Sequence, residues 1–138
     1  MSFEDFNQNL INDLRAHAGK ATSGPFEGRD VLILTTKGAK SGKARENPLA
    51  YTRDSENLVV VASKGGAPTH PAWYRNLSEH PDVELQVEDE VFPARARTAA
   101  GEERERLWRT MTAIWPRYDQ YAEKTDREIP VVVLEPVR

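Results

Sequence analysis

Apolar residues recur along this chain with two different periods, and the period switches several times. Phe3, Phe6, Leu10 and Leu14 return at helical spacing with Ile11 beside them, so Met1 to Ala21 reads as an amphipathic helix. Ser2 is its candidate cap, with Asp5 three residues on. Gly24-Pro25 and Gly28 then break the chain. Val31 to Thr36 is a continuous apolar, β-branched run, the pattern of a strand buried on both faces. Lys37 to Lys43 is a basic turn. Arg45 to Arg53 reads as a second strand, which Pro48 places at an edge or a bulge. Asp54-Ser55-Glu56-Asn57 turns the chain into a third strand, Leu58 to Ser63.

Pro71 to Glu79 predicts a short helix ending near Pro81. Val83, Leu85 and Val87 alternate with polar residues, and so does the run from Val91 to Arg97, with Asp89-Glu90 as the turn between two hairpin strands. Gly101 to Lys124 is a longer helix interrupted at Pro116, and Ile129 to Leu134 is a last strand. Hairpin-linked strands with few crossover helices predict a mainly β, α+β fold built on an antiparallel sheet. Closing that sheet into a small barrel removes its open edges, with the helices packed outside. No repeat or linker divides the chain, so residues 1–138 form one domain, of which 1–21 is the N-terminal helix.

Composition narrows the function classes. The net charge of −3 argues against a nucleic-acid partner, since such domains are usually basic. The absence of cysteine removes disulfides, thiolate nucleophiles and thiolate metal sites. The three histidines lie on scattered segments and make no metal triad, so no metal site is expected. No apolar run approaches the roughly 18 residues that cross a bilayer, and no export signal opens the chain, which points to the cytoplasm. The Phe3, Phe6, Leu10, Leu14 face either covers the barrel or rests peripherally on the inner face of the plasma membrane.

Three constellations carry candidate chemistry. Lys37, Lys40, Lys43 and Arg45 surround one glycine-bearing turn with Ser41, a setting for a phosphate or carboxylate; a solvated surface hairpin is the alternative. From Val59 to Leu77 a strand runs into Gly65-Gly66 and then a helix rich in polar and aromatic groups, a setting for a flat anion. Within it Trp73 and Leu77 have core-packing spacing, whereas Ser63, Lys64 and Asn76 do not; His70, just before Pro71, suits an acid–base group or a helix cap. Trp115, Tyr118 and Tyr121, with Trp108 nearby, make a ridge that suits a substrate wall or helix packing. No Ser-His-Asp set or carboxylate pair stands out, and Glu102, Glu103 and Glu105 fit the first turn of a helix.

Taken together, the motifs Leu34-Thr35-Thr36-Lys37-Gly38-Ala39-Lys40-Ser41-Gly42, Arg45 with Asn47-Pro48-Leu49, Ser63-Lys64-Gly65-Gly66-Ala67, His70-Pro71-Ala72-Trp73-Tyr74-Arg75-Asn76-Leu77 and Asp126-Arg127-Glu128-Ile129-Pro130 resemble the deazaflavin-dependent nitroreductase and F420H2-dependent quinone reductase family. The resemblance implies a split β-barrel that binds coenzyme F420, with FMN as the alternative cofactor. It implies reduction of a small quinone or nitroaromatic acceptor; a non-catalytic F420 carrier is the other reading. It implies that Lys37, Ala39, Lys40, Ser41 and Arg45 hold the phosphate and oligoglutamate tail. Asn47, Pro48, Leu49, Ala50, Val61, Ala62, Ser63 and Lys64 would then line the ring and its ribityl chain, and Ala72, Trp73, Tyr74, Arg75 and Asn76 would close over it. Ser63, Tyr118 and Tyr121 would be the catalytic donors, Tyr118 also touching the cofactor. Ala50, Trp115, Tyr118 and Tyr121 would meet the acceptor, and Ala50 and Trp115 depart from tyrosines found in the family. The assembly implied is a monomer or a homodimer.

Overall fold

The computed structural model describes residues 3–22, 24 and 26–137, with side chains from Phe6 onward. The expected cap at Ser2, the Phe3 and Asp5 side chains and Pro25 lie outside the described part. In chain order the elements are α1 (Phe3–Ala16), β1 (Val31–Lys37), β2 (Ala44–Ala50), β3 (Thr52–Asp54), β4 (Asn57–Val61), a 3-10 turn (Lys64–Gly66), α2 (Ala72–Glu79), β5 (Asp82–Val87), β6 (Glu90–Thr98), α3 (Gly101–Ile114), α4 (Arg117–Glu123) and β7 (Val131–Pro136). The seven strands form one antiparallel sheet in the order β2-β1-β5-β6-β7-β4-β3.

The two outermost strands, β2 and β3, are consecutive in the chain and separated by Tyr51 alone. The sheet therefore has to curl until its edges meet at one residue. Tyr51 pins that corner: its N–H donates to the Asp30 carbonyl at 3.2 Å, and its ring is buried. The result is a curled half-barrel of the split-barrel kind, as expected. Closure differs from the expected kind, because the chain joins the edges covalently and no ladder pairs β2 with β3. The single strand expected over Arg45 to Arg53 is accordingly two strands.

The apolar pattern follows from which strands have covers on both sides. Leu32 and Leu34 of β1, Leu58 and Val60 of β4, and Val132 and Leu134 of β7 fill the interior with Val83, Leu85 and Val87 of β5. The alternate residues Val59, Val61, Val131 and Val133 pack outward against Leu107, Met111 and Tyr118 of α3 and α4. Val31 and Ile33 pack outward against Leu10, Ile11 and Leu14 of α1. Strands covered twice read as continuous apolar runs, while β5 has one solvated face and alternates. Burying Ile11 and Leu14 contributes roughly 1.5–3 kcal/mol each. Leu10, Ile11 and Leu14 are thus covered by the sheet, and among the described residues no helix is long and apolar enough to cross a membrane.

Several boundaries move from the expected positions: the third strand ends at Val61 rather than Ser63, and the last runs Val131–Pro136 rather than Ile129 to Leu134. The first helix stops at Ala16 rather than Ala21, because Ala18 and Gly19 take positive φ. A Cβ on Gly19 would lie 2.8 Å from the Glu88 Cα, so a glycine is needed where this segment passes the β5–β6 turn. That turn is Glu88-Asp89, one residue earlier than the spacing predicts, with Glu88 at φ 56°.

Candidate active site

A cleft of about 410 Å³ opens where β2, the end of β4, the 3-10 turn, the start of α2 and α4 converge. Asn47, Pro48, Leu49 and Ala50 of β2 form one wall. Val61, Ser63, Lys64 and Gly65 form the floor, and Ala72, Trp73 and Arg75 of α2 form one end. Trp115, Tyr118 and Tyr121 stand opposite. All of these were candidates from sequence except Gly65, whose role there was close approach to a ligand.

The aromatic wall survives a break in the helix. Trp115 leaves α3 at φ −136°, ψ 84°, and Pro116 starts α4, yet the ring centroids of Trp115 and Tyr118, and of Tyr118 and Tyr121, are each 6.3 Å apart. Trp108 Nε1 donates to Asp119 at 3.1 Å and ties the two helices together. Tyr118 is 7% exposed, and burial, then the neighbouring Tyr121, push its phenol up to about 12. Its hydroxyl and that of Tyr121 make no hydrogen bond to any described residue, nor does the Ser63 hydroxyl. The cleft therefore offers three spare hydroxyls set among apolar walls.

The basic turn lies beyond the lining. Lys37, Ala39, Lys40, Ser41 and Arg45 are all exposed, and none of the cations there, Lys43 included, forms an ion pair with a described residue. Arg45 lies two residues before Asn47 on β2, so alternation puts both on the same side of the strand, about 7 Å apart. The turn continues the cleft wall into a cationic strip.

Asn76 and Tyr74 sit behind the cleft. Asn76 is buried; its Oδ1 accepts from the Ala39 N–H at 3.0 Å and its Nδ2 donates to Thr36 Oγ1 at 3.1 Å. It bolts α2 to the basic turn. Tyr74 pairs its hydroxyl with Thr98 Oγ1 at 2.8 Å, and Ala62 is wholly buried. Replacing Asn76 by Ala strips partners from both the Ala39 N–H and Thr36. The expected cost is about 1–3 kcal/mol, toward the lower end because Ala39 is exposed. A shift in the urea midpoint at constant slope measures it; an unchanged midpoint would mean the bolt carries no stability.

Sequence reasoning missed four participants. Phe6 and Asn7 of α1 and Phe26 of the following loop line the cleft. Phe26 contacts Trp115 at 5.7 Å, and Arg29 lies over the Trp115 ring at 4.8 Å while donating to the Ile114 carbonyl at 3.0 Å. Phe26 follows a Gly-Pro break, where no periodicity reports burial. Arg127 is the fourth: Nη2 donates to the Ser63 carbonyl at 2.7 Å, Nε to Ala67 at 2.9 Å and Nη1 to Ala62 at 3.3 Å. His70 caps no helix; its Nδ1 is 3.0 Å from Arg127 Nη1.

The comparisons with known proteins agree with one another. The family model described as F420H(2)-dependent quinone reductase matches residues 9–136. The F420H(2)-dependent quinone reductase Rv1261c of Mycobacterium tuberculosis is 42% identical over 106 residues, which span 75% of this chain and 71% of its own. A solved F420-H2 dependent reductase, FDR-A, is 45% identical with a TM-score of 0.70, covering 76% of this chain and 93% of that one. Another solved structure, described as a domain-swapped dimer, is 38% identical with a TM-score of 0.73 and covers 97% of this chain and all of its own.

Proposed function

This chain belongs to the F420H(2)-dependent quinone reductase family, and on that premise we propose that it reduces a flat quinone with coenzyme F420 held in the 410 Å³ cleft. One observation carries the reading: an apolar slot with spare hydroxyls runs into a strip of cations without ion-pair partners. That shape and charge suit a planar ring joined to a polyanionic tail. Gly65 supports the fit, since a Cβ there would meet nothing within 4 Å and backbone lies open to a ring.

When bound and reduced, coenzyme F420 supplies two electrons and one proton together, as hydride from carbon. A quinone that takes this hydride and one proton from solvent leaves as hydroquinone. The residues here bind, orient and stabilise. Lys37, Lys40, Ser41 and Arg45 would hold the phosphate and carboxylates of the tail, while the Ala39 N–H, already given to Asn76, shapes the turn rather than binding it. Asn47, Pro48, Leu49, Val61, Ser63 and Lys64 flank the ring and its polyol chain, while Ala72, Trp73 and Arg75 shut one end. Ala62, Tyr74 and Asn76 support that surface from behind. Ser63, Tyr118 and Tyr121, which line the cleft, would supply donors to the oxygen on which charge develops, the arrangement that preorganised stabilisation requires. Ala50, a small residue opposite Trp115 and Tyr118, leaves width for the acceptor.

The test is a side-by-side titration with F420 and FMN, followed by oxidation of reduced F420 in the presence of menadione. F420 is expected to bind and FMN not, with turnover on menadione. Preferential FMN binding overturns the cofactor assignment, and tight F420 binding without turnover on any of several quinones leaves a carrier. Reduction of a nitroaromatic in the same assay would extend the acceptor range to that class.

A further inference from the structure

Three consecutive residues, the first two of them on the cleft floor, have left-handed backbone: Lys64 at φ 47°, Gly65 at φ 62° and Gly66 at φ 84°. Lysine has no intrinsic preference for that region, so something must hold it there. The turn's own backbone bonds are two, Gly66 N–H to the Ser63 carbonyl at 3.0 Å and Ala67 N–H to the Lys64 carbonyl at 3.1 Å, and the Lys64 side chain donates to Thr69 Oγ1 at 3.3 Å. The carbonyls of Ala62, Ser63 and Ala67, which flank the strained residues on both sides, all accept from one guanidinium, that of Arg127.

We propose that Arg127 is the positioning residue of the cleft, stapling the left-handed turn that carries Ser63 and Lys64, and that the staple closes only while His70 is unprotonated at Nδ1. The second half follows from donor chemistry. A guanidinium has five N–H donors and no acceptor, so the 3.0 Å contact between Arg127 Nη1 and His70 Nδ1 needs a lone pair on the imidazole. The groups facing His70 are Arg127 from the segment after α4, and Arg75 and the Tyr74 ring, centroids 4.9 Å apart, from α2. No carboxylate among them offsets a second positive charge. Burial, then Arg127 and Arg75, hold His70 below its ordinary value. Protonation sets two cations face to face and drives Arg127 off the turn.

This inference rests on the cleft being the F420 site, and its test separates the two. F420 affinity, read by ligand fluorescence, is measured against pH for the wild type, His70→Asn and Arg127→Lys. Asparagine puts a non-titrating amide oxygen near the Nδ1 position. Any titration of F420 itself is common to all three proteins and cancels in their ratios. Relative to His70→Asn, wild-type affinity should fall by about tenfold per pH unit below the His70 transition, the limit for exclusive proton and ligand binding. Arg127→Lys, whose single ammonium cannot span three carbonyls, should bind F420 at least about tenfold more weakly at neutral pH and lose the His70-dependent limb. Amide hydrogen exchange in the ligand-free proteins reports the staple alone: Gly66 and Ala67 should lose protection on acidification in the wild type and keep it in His70→Asn. Parallel pH profiles for wild type and His70→Asn in both binding and exchange overturn the staple and leave the cofactor reading standing. The exchange pattern without F420 binding by any protein upholds the staple and removes the cofactor reading.

Discussion

Gly66→Ala is expected to lower stability by about 2–5 kcal/mol and to displace α4, whereas Gly65→Ala next door costs only about 1–2 kcal/mol. Both glycines have positive φ, so both substitutions impose left-handed strain on an L-residue. They differ in what a Cβ would meet. At Gly66 it would lie 2.8 Å from the Tyr121 carbonyl oxygen and 3.1 Å from both the Tyr121 Cα and the Lys124 Cβ; at Gly65 it would meet nothing within 4 Å. Two of the Gly66 contacts are backbone, which cannot swing aside, so α4 must move. With it go Tyr118 and Tyr121, one wall of the cleft. Urea denaturation of the two variants measures the difference, and near-ultraviolet circular dichroism reports the aromatic wall. Equal midpoints would refute the packing role of Gly66, because strain alone cannot separate the pair.

That contrast divides a glycine pair which sequence alone presents as one feature. The pair was legible as a turn with room for a ligand, and Gly65 keeps that role. The close approach at Gly66 is to a helix over fifty residues away, and no local pattern carries that. The strands were legible wherever burial is periodic: Val31 to Thr36 as a doubly covered run, Val83 to Val87 as a one-faced strand. The corner at Tyr51 was not, because a single residue between two strands interrupts no alternation. The lining residues of β2, β4 and α2 came from motifs and those of α4 from the spacing of an aromatic ridge, while Phe26 sits in an aperiodic loop and announces nothing. Arg127 stood inside a noticed motif, but its work is on carbonyls about sixty residues back, and main-chain acceptors leave no mark on side-chain pattern. The missed features are long-range contacts to backbone, a conformational corner, and a ring contact made from an aperiodic loop. Side-chain composition reports none of these.

Tyr118→Phe should lower turnover with quinones by about 10²-fold while F420 affinity stays within a factor of about two and stability holds or rises by up to about 1 kcal/mol. The combination is diagnostic. Tyr118 is buried to 7% exposure, yet its hydroxyl has no hydrogen-bond partner among the described residues. A phenol in an apolar wall without a partner does not help the fold, so removing its oxygen should not harm it. Under the proposed function its value lies in what enters the cleft. With its phenol at about 12, Tyr118 remains a proton donor throughout the neutral range, and it offers that donor without reorganisation. The pH behaviour has a definite sign. A phenol raised from 10.0 to about 12 by burial leaves stability unchanged below pH 10, where both states keep the proton, and costs the folded state stability as pH rises from 10 to about 12, where the unfolded chain ionises first. Tyr118→Phe should therefore remove part of the alkaline limb of the stability profile as well as most of the turnover. Single-turnover rates at saturating reduced F420 and menadione measure the first effect, and urea midpoints from pH 9 to 12 measure the second. Unchanged turnover would move the donor role to Ser63 or Tyr121; a large loss of F420 affinity would make Tyr118 a wall of the cofactor site and leave the acceptor to Trp115 and Phe26.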